Sequence, residues 1–593
     1  MNYPVDQRVA LFNATTSNVV YEAGLKEDVI PGDPASEDPN NLPAFPRVLS
    51  QRKRHLVSLS MQITGSLDDF KALKAAGISI KDKVVLVRYG GMTRGLKVYA
   101  AGLGGARGVL IYSDPADDGY VQGPVYPDGP WRPESSFQLT SINHIPSLPL
   151  SYRDAEPLLR ALKGLGKPAK DVGDNWVGGL TSKGVEYWTG PSELSVNLLN
   201  KVEYKITPIQ NVIARIPGWG EPNRAVVIGN HRDAWCAGAS DPSSGSAALL
   251  ELSRGLGKLL KLGWRPRRTI ILGSWDAEEY SLIGSTEWVE ENRSWLKAEA
   301  VAYINVDGAV GGRRYAVGAS PVFKHLLHEA TKQVPYPNSN QTVYDVWLRD
   351  SARNAGDDKL EKPTVFPLGS GSDFTAFMAH AGISSIDMGF GGYVGSYHSN
   401  YDSFNWMSKF VDPDFKLHQA MTRLWGLLTI RIADDPVLDL KPTTYAEELQ
   451  QYLNVIEKYV ASQIPDKTDI EWAVAKKFHN LRHAQHNLLR SAQYLERRLQ
   501  YLQRVYGEGC QMAGNRRRAR CHQLRKSINE RVAKLERHFI DPSGIPGREW
   551  YKHILVFPAL AEAAEDGDWE AFQVYEERAA GLVNDAARFL RKF

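Results

Sequence analysis

Short β-branched runs alternate with helix-spaced leucines between residues 200 and 430, a rhythm that fits a mostly parallel sheet covered by helices. Ala225-Val226-Val227-Ile228 reads as one strand, Thr269-Ile270-Ile271-Leu272 as a second, and Val301-Ala302-Tyr303-Ile304-Asn305-Val306 as a third. Between the first two, Ser246 to Leu262 carries Leu249, Leu252, Leu256 and Leu260 on one helical face. In such a fold, functional groups gather beyond the carboxyl ends of the strands.

The chain has 593 residues, too many for one core, and about two to four domains are expected. Residues 66–165 read as a small mixed α/β module, with strands at Lys83–Tyr89 and Gly108–Tyr112 and a Gly/Ala-rich helix from Val98 to Gly105. Residues 26–45, rich in Pro, Asp and Asn, read as an extended segment without a core. Beyond residue 443 the pattern is helical. Leu481, Leu488, Leu489, Leu495 and Leu499 recur between charges in the run from Ala473 to Gln500, as in a helix bundle.

Charge narrows the function classes. Lys plus Arg is 71 and Asp plus Glu is 68, a net charge of +3, which gives no basis for nucleic-acid or anionic-membrane binding. The cluster Arg516-Arg517-Arg518-Ala519-Arg520 reads as a solvated helix face. No apolar run approaches the roughly 20 residues that span a bilayer. The start, Met1-Asn2-Tyr3-Pro4, lacks a secretory signal pattern. Three cysteines are too few for a disulfide framework. Cys510 and Cys521 are close enough in sequence to pair, but unpaired thiols are the expectation. Asn13, Asn292 and Asn340 begin glycosylation sequons, the basis for expecting a glycoprotein.

The chemistry-bearing residues fall just past the three strands. Asn230-His231-Arg232-Asp233 follows the first, with Asp241-Pro242 shortly after. Ser274-Trp275-Asp276-Ala277-Glu278-Glu279 follows the second, and Asp307-Gly308 the third. Tyr397-His398-Ser399 comes much later. Two histidines and three carboxylates there would converge on one pocket. Zinc takes imidazole nitrogen and carboxylate oxygen, and a pair of metals needs a shared carboxylate. Asp241 suits the shared position, at a helix start with Pro242 at the first helical position. Glu278 and Glu279, as neighbours on an extended strand end, would point in opposed directions. One could bind metal while the other moves a proton. Asp233 is placed to orient a ligand imidazole.

These segments, with Gly284-Ser285-Thr286-Glu287-Trp288, Asn305-Val306-Asp307 and Leu368-Gly369-Ser370-Gly371-Ser372-Asp373, resemble the glutamate carboxypeptidase II and transferrin receptor group over most of the chain. The resemblance implies a three-layer α/β/α zinc-exopeptidase domain, an inserted protease-associated domain and a C-terminal helical dimerisation domain. The expected divisions are 1–47 for the start of the peptidase domain, 48–190 for the insert, 191–435 for the peptidase domain and 436–593 for the dimerisation bundle. It also implies two zinc ions, one on His231 and Asp307 and the other on Glu279 and His398, bridged by Asp241. Glu278 would be the base, and Tyr397 would hydrogen-bond the oxyanion. Arg94, Gly371 and Ser372 would bind substrate. Glu287 and Glu290 match two ligands of a structural calcium.

The receptor branch of that group has lost metal ligands, and this chain keeps all five. The implied activity is hydrolysis of a terminal peptide bond by a homodimer. The alternative is a weak or inactive dimeric receptor or sorting scaffold. The implied location is secretory, vacuolar or membrane-associated. A two-metal nuclease or phosphatase would need phosphate-clamping Arg and Lys, which the site segments do not supply.

This chain also departs from the family. Ala316, Asp387 and Gly389 stand where the glutamate-specific enzyme has arginines. The stretch from Thr140 to His144 is shortened, and His553-Ile554-Leu555-Val556 runs directly into Phe557-Pro558. Residues 47–63 do not resemble the family's extended strand.

Overall fold

The computed structural model describes residues 2–41, 52–61, 65–90, 94–118, 145–173, 175–392, 396–464, 469–508 and 515–591. Residues 42–45, Thr140 to His144 and Cys510 therefore lie outside the described residues. Among those described, two sheets and a helical region organise the chain.

The site is carried by a six-stranded sheet. Its order is Arg314–Ala319, Ser385–Gly391, Ala300–Asn305, Glu221–His231, Arg268–Trp275 and Val212–Ile216. The four inner strands run parallel and the two edge strands antiparallel. Val226, Val227 and Ile228 are fully buried, as continuous apolar runs should be when helices cover both faces. The helix Ser243–Lys261 turns Leu249, Leu252 and Leu256 into the core and leaves Leu260 half-buried.

The other sheet has seven strands, in the order Val19–Glu22, Asn2–Phe12, Ser195–Tyr204, Arg52–Met61, Val84–Arg88, Gly108–Tyr112 and Ser147–Leu150. Residues 47–63 do contain a strand, Arg52–Met61. It pairs with Ser195–Tyr204 on one side and Val84–Arg88 on the other, so backbone hydrogen bonding recruits it despite its unfamiliar sequence. The segment 26–45 was expected to lack a core, yet Asp33 and Ser36 are buried around the short helix Pro34–Glu37.

The C-terminal region is helical. The run expected from Ala473 to Gln500 is two helices, Ile470–Lys477 and His479–Glu508, because the backbone at Phe478 leaves helical geometry. In the longer helix Leu481, Leu488, Leu495, Leu499 and Leu502 are fully buried, and it packs against Trp569–Arg591. Arg518 and Arg520 are exposed on the helix Asn515–Lys534. Cys236 is free, but Cys521 is disulfide-bonded, against the expectation of unpaired thiols. No helix among the described residues is long and apolar enough to cross a membrane.

Candidate metal centre

Four adjacent parallel strands end at one place. His231 closes Glu221–His231, and Asp307 follows Ala300–Asn305. Glu278 and Glu279 follow Arg268–Trp275, and His398 lies beyond Ser385–Gly391. Asp241 enters from the loop before the helix Ser243–Lys261. Pro242 is the capping residue of that helix, one position earlier than expected, because Ser243 is its first helical residue. Gly245 in the first turn is required by close approach. A Cβ there would stand 2.0 Å from the carbonyl oxygen of Asp307 and 2.5 Å from Asn230 Nδ2.

Two groups of donor atoms form there, His231 with Asp241 and Asp307, and His398 with Asp241 and Glu279. His231 Nε2 is 3.0 Å from Asp307 Oδ1 and 3.2 Å from Asp241 Oδ1. His398 Nε2 is 3.1 Å from Asp241 Oδ2 and 3.1 Å from Glu279 Oε2. Donors about 2.0–2.1 Å from a tetrahedral zinc stand roughly 3.3 Å from one another. The observed spacings fit that requirement in both groups, and Asp241 offers one oxygen to each. The His-to-carboxylate contacts stand where His–metal–carboxylate contacts would be.

The electrostatics agree with a cation site. Burial disfavours the charged form of Asp241, but hydrogen bonds from both imidazoles outweigh it and hold its carboxyl far below the usual range. Burial pushes Glu279 up to about 7 and Glu278 well above the usual range. For His231, burial opposes protonation, yet attraction to Asp307 and Glu278 raises its pKa. So many acidic groups in a dry site favour cations.

Glu278 belongs to neither donor group. Its Oε2 lies 3.9 Å from His231 Nε2, at the edge of the first group. The two glutamates do not sit on an extended strand end as expected. The strand stops at Trp275, Ala277 adopts a left-handed φ of 56°, and the pair lies in the turn that follows. Asp233 does more than meet the His231 ring. Its backbone carbonyl lies 3.0 Å from His231 Nδ1 and its Oδ1 3.7 Å from the same nitrogen. The carboxylate also accepts the backbone N–H groups of Glu278 and Glu279, at 2.9 and 3.2 Å.

Hydrogen bonds between residues distant in sequence complete the support. Trp275 Nε1 donates to the Tyr303 hydroxyl, which donates to Asn305 Oδ1. Asn305 Nδ2 donates to Asp387 and to Ser372 Oγ, and Ser372 donates to Asp307 Oδ2 at 2.5 Å. Ser372, expected to bind substrate, is thus hydrogen-bonded to a metal-site carboxylate. Asp402 accepts the N–H groups of Ser240 and Asp241 at 2.8 and 3.1 Å, fixing the shared carboxylate's backbone.

A cavity of about 370 Å³ opens beside the site, and its lining includes Asp241, Asp307, Gly371, Ser372, Asp387 and Tyr397. Gly371 has a φ of 113°, a backbone conformation that favours glycine. The Tyr397 ring stacks on His398, and the Arg94 guanidinium lies 5.6 Å from that ring. Ala316 pairs with Gly389 across neighbouring strands, and Gly318 with Asp387. Glu287 is exposed, and Glu290 accepts Trp550 Nε1 at 2.7 Å. Among the described residues these two glutamates join no cluster of three metal-ligating side chains.

Comparison with known proteins matches three family descriptions. They are peptidase family M28 over residues 211–411, the PA domain over 55–158, and the transferrin receptor-like dimerisation domain over 476–591. A probable glutamate carboxypeptidase of Arthroderma benhamiae is 36% identical over 100% of this chain and 84% of its own length. The matched stretch runs to 658 residues against a chain of 593, so that relative carries segments absent here. A probable glutamate carboxypeptidase of Arabidopsis thaliana is 36% identical over 85% of this chain and 69% of its own. The aminopeptidase NAALADL1 of Mus musculus is 36% identical over 84% of this chain and 71% of its own. The chain belongs to peptidase family M28 and is a zinc-dependent metallopeptidase with a PA domain and a transferrin receptor-like dimerisation domain.

Proposed function

We propose that this chain is a two-zinc exopeptidase that hydrolyses a terminal peptide bond. The observation that carries the reading is the pair of three-residue donor groups sharing Asp241. His231 and Asp307 would hold one ion, Glu279 and His398 the other, with Asp241 between them. When bound, the ions supply Lewis acidity for the scissile carbonyl and an activated water.

The remaining work falls to side chains. Glu278, buried beside the first group and outside both, takes the proton of the attacking water and returns it to the leaving amine. Tyr397 borders the cavity and is the candidate donor to the oxyanion. Arg94, whose guanidinium lies against the rings of Tyr89 and Tyr397, is the candidate for a substrate carboxylate. On the other side, Asp387 and the small residues Ala316 and Gly389 favour a neutral or basic side chain over an acidic one.

The dimer belongs to the same reading, with an isologous contact made by the helical region after residue 436. The chain-level divisions at 47, 190 and 435 are part of it, although Ser195–Tyr204 hydrogen-bonds to strands on both sides of residue 47. Sedimentation at micromolar concentration is expected to give a dimer.

The test of the activity is hydrolysis of a panel of short peptides differing in terminal residue. Cleavage of one terminal residue, abolished by a chelator and restored by zinc, is the expected result. Internal cleavage, or turnover unaffected by chelation, would overturn the reading.

A further inference from the structure

His398 must be held in an unusual place. Its backbone φ is 56°, a left-handed conformation that L-residues other than glycine, asparagine and aspartate seldom adopt. The loop that follows is fully buried yet has no regular structure to brace it: Ser399, Asn400, Tyr401, Asp402 and Ser403 are all under 10% exposed.

The bracing comes from the start of the chain. Glu27 accepts the Ser399 hydroxyl on one carboxylate oxygen and the Asn400 N–H, at 2.7 Å, on the other. One residue on, the Tyr401 hydroxyl donates to the carbonyl of Asp28 at 2.9 Å. Asp33 Oδ2 accepts the Ser403 hydroxyl at 2.6 Å. Between these anchors Asp402 turns the other way and holds the amides of Ser240 and Asp241. The segment from Glu27 to Asp33 therefore grips the loop carrying His398, and through Asp402 the same loop reaches Asp241.

We propose that Glu27 is a positioning residue that fixes the His398 loop and thereby sets the affinity of the metal site formed by Glu279 and His398. The inference rests on the two-zinc reading above. Glu27 belongs to neither donor group and does not line the cavity; it acts through Ser399 and Asn400, the two residues after His398. Partners of metal ligands commonly change affinity by about 10–100-fold when removed. His231 and Asp307 lie at or past the ends of strands that the segment does not grip, and only the shared Asp241 links their ion to the loop, so that ion should weaken less.

The test is stepwise removal of zinc from the purified full chain with a graded series of chelators, on wild type, Glu27→Ala and Glu27→Gln. Wild type should release two ions. Glu27→Ala should release one of them about 10-fold or more too easily and weaken the other by distinctly less, through the shared Asp241. Glu27→Gln, whose amide oxygen can still accept one of the two hydrogen bonds, should recover part of the loss. Melting of the metal-free proteins should differ little. Equal weakening of both ions together with a lowered metal-free melting temperature would mean a merely structural role and would overturn the proposal. So would wild-type affinity at both ions in Glu27→Ala. A wild-type chain that binds no zinc overturns the two-zinc reading and this inference with it.

Discussion

Asp233 Oδ1 accepts the backbone N–H of Glu278 at 2.9 Å, which anchors the proposed base to the neighbouring strand end rather than to its own. The other oxygen of the same carboxylate takes the Glu279 amide. A turn with a left-handed Ala277 cannot satisfy those amides internally, so one side chain from the next strand does both.

Asp233→Ala should therefore strip two amides of their acceptor while leaving the carbonyl that meets His231 Nδ1. Zinc at the Glu279 and His398 group is expected to weaken by about 10–100-fold, ahead of the His231 group. Chelator titration checks the order of loss. Earlier loss from the His231 group would return Asp233 to the role of imidazole orienter.

Glu278 and Glu279 are chemically identical neighbours with different surroundings. Glu279 Oε2 lies 3.1 Å from His398 Nε2, whereas Glu278 stands outside both donor groups. Glu278→Gln should keep both ions and lose turnover by about 10²–10⁴-fold, the usual share of a general base. Glu279→Gln should weaken one ion, since a neutral amide is the poorer ligand. Zinc content beside peptide hydrolysis distinguishes them; the reverse pattern exchanges the two roles.

Glu536 is fully buried where the helical region meets the peptidase sheet. It accepts from His553 Nε2 at 2.8 Å, the Tyr445 hydroxyl at 2.9 Å and Ser384 Oγ at 3.2 Å. Burial opposes its ionisation, but the hydrogen bonds it accepts win, and its pKa lies below the ordinary value. A depressed folded pKa gives stability that is present above the unfolded value, about 4.3, and is lost as pH falls through the folded value. Glu536→Gln is expected to cost about 2–4 kcal/mol at neutral pH and to flatten the fall in melting temperature below about pH 4. A variant as acid-sensitive as wild type would contradict this.

The parts of the site that were legible in the sequence are those whose signal is local. Ala225 to Ile228 is apolar at every position because both faces of that strand are covered, and the strand indeed ends at His231. Of the five candidate ligands, His231, Glu279 and Asp307 were legible as residues at or just past strand ends, Asp241 was marked by the helix start after it, and His398 rested on the family resemblance. What was hidden depends on partners far along the chain. Asp402 meets Ser240 and Asp241 across more than 160 residues, and Glu27 meets Ser399 across 372. No spacing rule connects such positions. The turn at Ala277 was hidden for another reason: alanine gives no hint of a left-handed backbone, so an extended Glu278-Glu279 pair was the natural expectation. Strand Arg52–Met61 was missed because its charged start, Arg52-Lys53-Arg54, disguises a segment that pairing with Ser195–Tyr204 makes extended.

The central claim is that Asp241 is one carboxylate serving two ions, and metal analysis of Asp241→Ala tests it most directly. Elemental analysis of metal-replete wild type should give about two zinc ions per chain, the stoichiometry of a paired site. The folded Asp241→Ala protein should retain neither, because each donor group loses a ligand at once. Retention of one full equivalent by the variant, or a single equivalent in wild type, would contradict the account.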